Sequence, residues 1–304
     1  MIQTQANQAS TPYLTAPLAW IVTLLVSLLP DILFTELTGS LPGWLYGVKV
    51  GLIITILLAS FFWKQLRPLW LFFSVLLAVY VLQWGVDKFY RYIPLSSWLG
   101  GLNSFAKNIG AVEVPRATVS LLLVLVMLLL VHRFSNFFLV KGDLGAKAAP
   151  IPLITSRPTS WRILGPAIAA AMCLGLLVFT FVFGSLPSIR SLTGLLPLLP
   201  FVFLFAASNS FGEEMLYRAP WLGALEQPLG ATQALLITAV YFGLAHFYGV
   251  PYGIVGVIMA FIPGWLMGKS MLETRGFFWA WFIHFWMDIA VFSMIALGSI
   301  TPGG

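Results

Sequence analysis

Long apolar runs separated by short polar segments recur along this 304-residue chain. Many of them approach the roughly 20 residues that a helix needs to cross a bilayer. Such runs occur at residues 14–35, 44–63, 68–86, 117–135, 163–184, 194–217, 231–248, 252–270 and 277–298. The first run contains Pro30 and Asp31, and the sixth contains Glu213 and Glu214. The pattern therefore predicts an all-α fold, a polytopic transmembrane helix bundle of roughly eight or nine spans.

Two longer polar stretches separate these runs. Residues 87–116 mix charges with Tyr90, Tyr92 and Trp98. Because aromatic side chains favour the membrane–water interface, this stretch is predicted to lie there. Residues 141–162 are rich in Pro, Ser and Lys and are predicted to form a cytoplasmic linker.

The composition agrees with a membrane protein. Of all residues, 60% are hydrophobic and 9% are charged, whereas about 25% are charged in a typical soluble domain. The net charge is +6, but the basic residues are scattered singly between apolar runs, without the basic stripe of a nucleic-acid-binding protein. Nucleic acid is therefore excluded as a partner, and membrane lipid is expected around most of the surface.

The basic residues also predict an orientation, because loops that contain lysine and arginine tend to stay in the cytoplasm. If all nine runs span the membrane, the richer side is that of the N-terminus. It contains Lys64, Arg67, Arg133, Lys141, Lys147, Arg157, Arg162, Arg218, Lys269 and Arg275. A cytoplasmic N-terminus is expected.

Three ionisable residues cluster at the end of one apolar run. Glu213, Glu214 and Arg218 lie where lipid would be expected, and a charge at mid-depth costs at least about 2.5–3.5 kcal/mol. Arg218 is one helical turn after Glu214 and can neutralise it. Glu213 then points about 100° away around the helix and can act as a general base on water. The alternative is a structural ion pair with Glu213 near the interface.

The next apolar run ends with Phe242 and His246, four residues apart. If the intervening turn is near Gly230, Glu213 lies 17 residues before it and His246 lies 16 residues after it. Antiparallel helices would then place Glu213 and His246 within about 2 Å of the same depth. The alternative is a helix-end histidine that bonds to the backbone.

The last predicted helix contains His284 and Asp288 at spacing i, i+4. Both side chains share one helix face, so Asp288 can orient His284 or stabilise its charge. An internally satisfied polar pair is the alternative.

A glutamate and two histidines on three helices are also a ligand set for zinc, with one position left for water. Glu213, His246 and His284 are the candidate ligands. The HExxH metalloprotease pattern is absent from the sequence. A metal-free glutamate that activates water needs the same residue types, so both readings stay open. A GxSxG elbow is absent as well, which disfavours a serine hydrolase.

Glu213-Glu214-x-x-x-Arg218, Phe242-x-x-x-His246 and His284-x-x-x-Asp288 occur in this order on apolar segments. Together they resemble the three-motif pattern of the CPBP family of intramembrane metalloproteases. This family is related to the type II CAAX prenyl endopeptidases and the bacterial Abi proteins. The resemblance covers roughly residues 195–290, about a third of the chain.

The resemblance implies catalytic roles for Glu213, Glu214, His246 and His284, with Arg218, Asp288 and Phe242 in support. Glu213 would activate the attacking water, and His246 would hold that water. His284, supported by Asp288, would stabilise the oxyanion, while Glu214 and Arg218 would keep the site assembled. Zinc is a candidate cofactor by the same resemblance.

One position departs from the family pattern, because Asp288 stands where CAAX-type members usually have asparagine. Asparagine donates a hydrogen bond, whereas an ionised aspartate cannot. Asp288 would therefore need a proton, or would act by keeping His284 charged. The departure bears more on specificity for prenylated CAAX substrates than on proteolysis.

These expectations define three regions: N-terminal transmembrane helices of unknown role at 1–140, the cytoplasmic linker at 141–162, and a CPBP-like catalytic transmembrane domain at 163–304. The expected substrate is a membrane-associated peptide or protein, with or without a prenyl group, and the expected location is a bacterial plasma membrane. Two other functions remain open. A proton-coupled transporter could use the same acids and histidines as a relay, and a membrane scaffold would need no chemistry.

Overall fold

The structure is a computed structural model that describes residues 15–93, 95–183 and 188–300. In the described residues the helices are α1 Thr15–Val26, α2 Leu29–Thr38, α3 Leu45–Phe62, α4 Trp70–Tyr92, α5 Leu95–Trp98, α6 Ser104–Val131, α7 Trp161–Phe183, α8 Ile189–Leu195, α9 Leu199–Tyr217, α10 Ala219–Leu229, α11 Ala231–Ala245, α12 Ile254–Thr274 and α13 Phe278–Ile300. Two short strands, β1 Lys147–Ala148 and β2 Thr159–Ser160, pair antiparallel. The predicted all-α polytopic helix bundle is confirmed.

Seven helical segments of the described residues are long and apolar enough to cross a membrane. An eighth is obtained if α1 and α2, which are bent by 44° at their junction, form one broken span. Pro30 lies in the first turn of α2 and explains the break, since proline cannot continue the hydrogen-bond ladder of α1. The predicted span at 231–248 is wrong in length, because α11 has only 15 residues.

The segment at 87–116, predicted to lie at the membrane interface, is largely helical in the described residues, and its depth in the membrane stays a prediction. Its first residues complete α4, and its second half is the beginning of α6, which starts 13 residues before the predicted span at 117. Asn103 caps this early start, since its side-chain oxygen accepts a hydrogen bond from the Ala106 amide at 2.8 Å. The charged residues of this stretch therefore belong to two long helices, α4 and α6.

The chain divides into two compact units that group the helices differently from the three predicted regions, whose roles stay a prediction. Unit 1 contains the described residues up to Leu77 together with Trp221–Trp265. Inside it, the buried Lys49 ammonium of α3 pairs with Asp31 and donates to the Ser27 carbonyl at 2.7 Å. Lys49 thus satisfies a carbonyl that the break between α1 and α2 leaves without a helical partner.

Unit 2 contains Ala78–Pro220 and the residues from Leu266 onward. Its apolar core joins α6, α9 and α13 through the buried residues Phe105, Ala106, Leu198, Val202, Phe205, Ala206, Phe292 and Ala296. The Phe205 ring lies 5.9 Å from the Phe105 ring and 6.3 Å from the Phe292 ring. Because lipid chains are as apolar as these side chains, the hydrophobic effect does not drive this contact, and van der Waals packing stabilises it. The core fixes the three helices that carry the polar side chains described below.

The predicted linker at 141–162 packs against the ends of α12 and α13. Glu273 of α12 accepts hydrogen bonds from the Ala149 amide at 3.0 Å and from the Trp161 indole at 2.9 Å. The Asp143 amide donates to the Thr274 carbonyl at 2.7 Å. The segment is therefore fastened to the helices of unit 2 at several points.

Candidate active site

Helices α6, α9 and α13 of unit 2 enclose a cluster of polar side chains between apolar helix faces. Its members are Glu113 and Arg116 of α6, Asn209, Glu213 and Glu214 of α9, Arg218 directly after α9, and His284 and Asp288 of α13. The helices that contribute these side chains belong to candidate membrane spans. Such groups are costly in lipid, so a protein interior that pairs them is the expected place for them.

Glu214 is the most enclosed carboxylate of the cluster, with a side chain that is 0% exposed. Its Oε1 atom is bonded by Arg218 Nη1 and lies 2.8 Å from His284 Nδ1. The ion pair predicted between Glu214 and Arg218 is therefore present. Because Glu214 also holds one ring nitrogen of His284, it fixes the orientation of the imidazole.

Glu213, the next residue along α9, faces a different set of groups. Its Oε2 atom lies 3.5 Å from His284 Nε2, and its Oε1 atom lies 3.6 Å from Arg116 Nη1. Its side chain is 12% exposed. Glu213 and Glu214 thus approach opposite nitrogens of the same imidazole ring, as adjacent helix residues that point about 100° apart can do.

Asp288 lies on the same face of α13 as His284, as predicted from the i, i+4 spacing. Its Oδ2 atom is 3.7 Å from His284 Nε2, which is longer than a hydrogen bond. The ring is hydrogen-bonded to Glu214 instead, and the supporting role predicted for Asp288 stays a prediction. The partner of Asp288 is Asn209, whose Nδ2 donates to Oδ2 at 2.9 Å.

Arg116 connects these groups to α6. Its Nη1 atom donates to Glu113 Oε1 at 2.7 Å and also to Asn209 Oδ1. Glu113, Arg116 and Asn209 were not predicted, because the apolar pattern starts this helix only at residue 117 and because Asn209 is uncharged. The spacing i, i+3 of the acidic Glu113 and the basic Arg116 was the signal in the sequence that indicates a helical ion pair here.

A partly open cavity of about 450 Å³ adjoins the cluster in unit 2. It is lined by Gln83, Val86, Asp87, Tyr90, Arg91, Leu95, Ala111, Pro115, Arg116, Val119, Leu216 and Tyr217. Arg116 lines the cavity and also contacts Glu213 of the cluster.

The remaining predicted residues, Phe242 and His246, belong to unit 1. His246 ends α11, and its Nδ1 atom lies 2.8 Å from the Phe242 carbonyl oxygen. The Phe242 ring lies 4.4 Å from the imidazole. The hydrogen bond to the backbone fixes the ring and leaves Nε2 for another partner. The predicted meeting of His246 with Glu213 stays a prediction.

The described residues contain no group of three or more His, Cys, Asp or Glu side chains arranged to hold a metal ion. The contacts of Glu213 and His284 in unit 2 are instead those of a paired acid–histidine network. A requirement for zinc, with Glu213, His246 and His284 as candidate ligands, stays a prediction from the sequence.

Fold and site together define a class of protein, a multi-pass helical membrane protein with a buried acid–histidine cluster on three helices. Comparison with known families narrows this class. Residues 195–290 match the family Type II CAAX prenyl endopeptidase Rce1-like, over about a third of the chain. This match confirms the resemblance indicated by the three motifs. No curated protein and no solved structure matches the chain.

Proposed function

We propose that this protein is an intramembrane endopeptidase of the CAAX type, which hydrolyses a peptide bond of a membrane-associated substrate with water activated by Glu213. The observation that carries the proposal is the 3.5 Å separation of Glu213 Oε2 and His284 Nε2. One water molecule can contact both atoms at ordinary hydrogen-bond distance. An acid that accepts a proton and an imidazole beside the same water are what acyl hydrolysis requires.

In the proposed reaction Glu213 accepts a proton from the water while the water oxygen attacks the carbonyl carbon of the peptide. The carbonyl oxygen becomes an oxyanion, and Glu213 then passes the proton to the departing amine. With Nδ1 donating to Glu214, His284 presents an Nε2–H only as imidazolium, the form that the neighbouring carboxylates stabilise. This N–H would donate to the oxyanion, a contribution of about 3–4 kcal/mol.

Glu214 and Arg218 support the reaction indirectly, because their buried pair holds the His284 ring. Asp288 contributes negative charge near Nε2, which favours the imidazolium. We assign His246 the role of a second hydrogen-bond partner of the water, as the family resemblance implies. This role rests on the motif Phe242-x-x-x-His246 that lies within the matched residues.

The proposed substrate is the C-terminal part of a membrane-bound chain, with a prenyl group as one option. The family match supports a membrane-associated peptide. A cytoplasmic N-terminus and a bacterial plasma membrane are proposed from the distribution of basic residues and from the family branch. Attaching a reporter to the N-terminus and assaying its exposure in intact cells tests the orientation.

The function is tested with the purified protein in liposomes and quenched peptides of two kinds, prenylated and unprenylated. Glu213→Gln is expected to lower kcat at least about 10²-fold, because it removes the base and keeps the shape. The matched control is Glu36→Gln, which changes an exposed acid of α2. Cleavage measured in the presence of a chelator tests whether zinc is required. Proton flux without cleavage would favour a transporter, and equal cleavage by Glu213→Gln would refute the assignment of the base.

A further inference from the structure

The Glu213 carboxylate has two different neighbours, one for each oxygen. Oε2 lies 3.5 Å from His284 Nε2, on the side where water would be activated. Oε1 lies 3.6 Å from Arg116 Nη1. Arg116 belongs to α6, outside the residues 195–290 that match the endopeptidase family. A cation from a separate helix therefore faces the oxygen that the proposed reaction does not use.

Arg116 is itself fixed by several contacts. Nη1 donates to Glu113 Oε1 at 2.7 Å and to Asn209 Oδ1. The amide group of Asn209 then donates to Asp288 at 2.9 Å. A planar guanidinium held in this way can keep one orientation, and the network runs from α6 through α9 to α13.

The close approach of Arg116 to α9 depends on a glycine. A Cβ atom at Gly212 would lie 3.2 Å from Arg116 Cγ and 3.3 Å from its Cδ. On the α6 side the Ser120 hydroxyl donates to the Arg116 carbonyl at 2.9 Å and is 3.3 Å from the Gly212 carbonyl oxygen. The arginine side chain therefore passes along the bare backbone of α9 to reach the residue after Gly212.

The distribution of charges in the cluster also associates Arg116 with Glu213. Arg218 is one helical turn from Glu214 and pairs with it. Glu213 and Glu113 both lie beside Arg116 instead. Without Arg116 the Glu213 carboxylate would lose the cation beside Oε1, and it could rotate about its last torsion, which is broad for glutamate.

We propose that Arg116 is a positioning residue for Glu213: it holds Oε1 so that Oε2 faces His284 and the attacking water. This inference rests on the proposed function, in which Glu213 is the base. It adds a residue of α6 that contacts neither water nor peptide in the reaction.

The test compares wild type with Arg116→Met, Arg116→Lys and the matched control Lys107→Met, which removes an exposed cation from the same helix. Steady-state cleavage in liposomes gives kcat and KM separately. Arg116→Met is expected to lower kcat about 10–100-fold while KM changes by less than about threefold, because the base is misplaced and peptide binding is retained. The kcat of Arg116→Lys is expected to be about tenfold higher than that of Arg116→Met, since lysine restores the positive charge without the planar guanidinium group.

A second measurement does not depend on cleavage. Melting temperatures of wild type, Arg116→Met, Glu213→Gln and the double variant form a double-mutant cycle in detergent. If the two side chains interact, Arg116→Met lowers the melting temperature less when residue 213 is already neutral. Additive losses would show that Arg116 and Glu213 do not interact.

The outcomes separate the two proposals. If wild type cleaves the peptide and the kcat of Arg116→Met is within about twofold of the wild-type kcat, only the positioning role is overturned. A loss of kcat that Arg116→Lys does not restore, together with an additive melting cycle, also overturns it, because Arg116 would then act only on folding. If wild type cleaves no peptide, the proposed function fails, and the melting cycle alone then decides whether Arg116 holds Glu213.

Discussion

Removing Arg218 tests the idea that the buried ion pair holds the cluster together. Arg218 and Glu214 have side chains that are both 0% exposed. Arg218→Met keeps most of the side-chain volume but leaves the Glu214 carboxylate buried without its arginine. Breaking a buried pair by removing one partner costs about 3–5 kcal/mol, mostly because an uncompensated charge remains. His284, whose Nδ1 lies 2.8 Å from Glu214 Oε1, still compensates part of that charge. We therefore expect a loss of about 3 kcal/mol in the free energy of unfolding.

The assay is equilibrium unfolding in mixed micelles with increasing denaturing detergent, followed by tryptophan fluorescence. The control is Arg91→Met, which breaks a pair with Asp87 at the same i, i+4 spacing. There the two side chains are 67% and 56% exposed, so the expected loss is about 0–1 kcal/mol. The double variant Glu214→Gln, Arg218→Met is expected to regain part of the stability, since it leaves no uncompensated charge. A loss for Arg218→Met that lies within about 1 kcal/mol of the control would refute the reasoning.

Two glycines provide further tests. Gly212→Ala is expected to displace Arg116, whose Cγ would lie 3.2 Å from the new methyl group, and to lower peptide cleavage about tenfold without loss of expression. Gly175→Ala, where nothing lies within 4 Å, is the matched control and should leave cleavage unchanged. Gly142→Ala places a Cβ 2.5 Å from the Thr274 carbonyl oxygen at a φ of +72°. It is expected to release residues 141–162, which limited proteolysis of intact vesicles would detect as faster cleavage in this segment.

The charged residues of α9 and α13 could be placed from the sequence because their spacing is local. Glu214 and Arg218 are one helical turn apart, and so are His284 and Asp288, so each pair must share a helix face wherever the helices lie. Intramembrane charges are also costly, which made them conspicuous in apolar runs. The partner of His284 could not be found in this way. The i, i+4 spacing indicated only Asp288, whereas the packing of α13 on α9 brings Glu214 Oε1 to 2.8 Å from His284 Nδ1.

The contribution of α6 illustrates a different difficulty. Residues 104–116 contain Lys107, Glu113 and Arg116 among apolar residues, so their mean polarity resembles that of an interfacial segment. The helix forms nevertheless, because Asn103 caps it, because Glu113 pairs with Arg116 one turn later, and because α9 supplies Asn209 and Glu213 as partners for Arg116. Those partners are about a hundred residues away in the sequence, and no local pattern reports them.

The sequence by itself determined that this protein is a helical, multi-pass membrane protein and which ionisable residues lie in its apolar runs. Both follow from the free energy of moving backbone and charge into lipid, which depends on the length and composition of each run. The tertiary structure decided which side chains meet. It paired His284 with Glu214 and Asp288 with Asn209, and it brought Arg116 to Glu213. Those contacts depend on how α6, α9 and α13 pack, and packing is set by shape complementarity between distant segments of the chain.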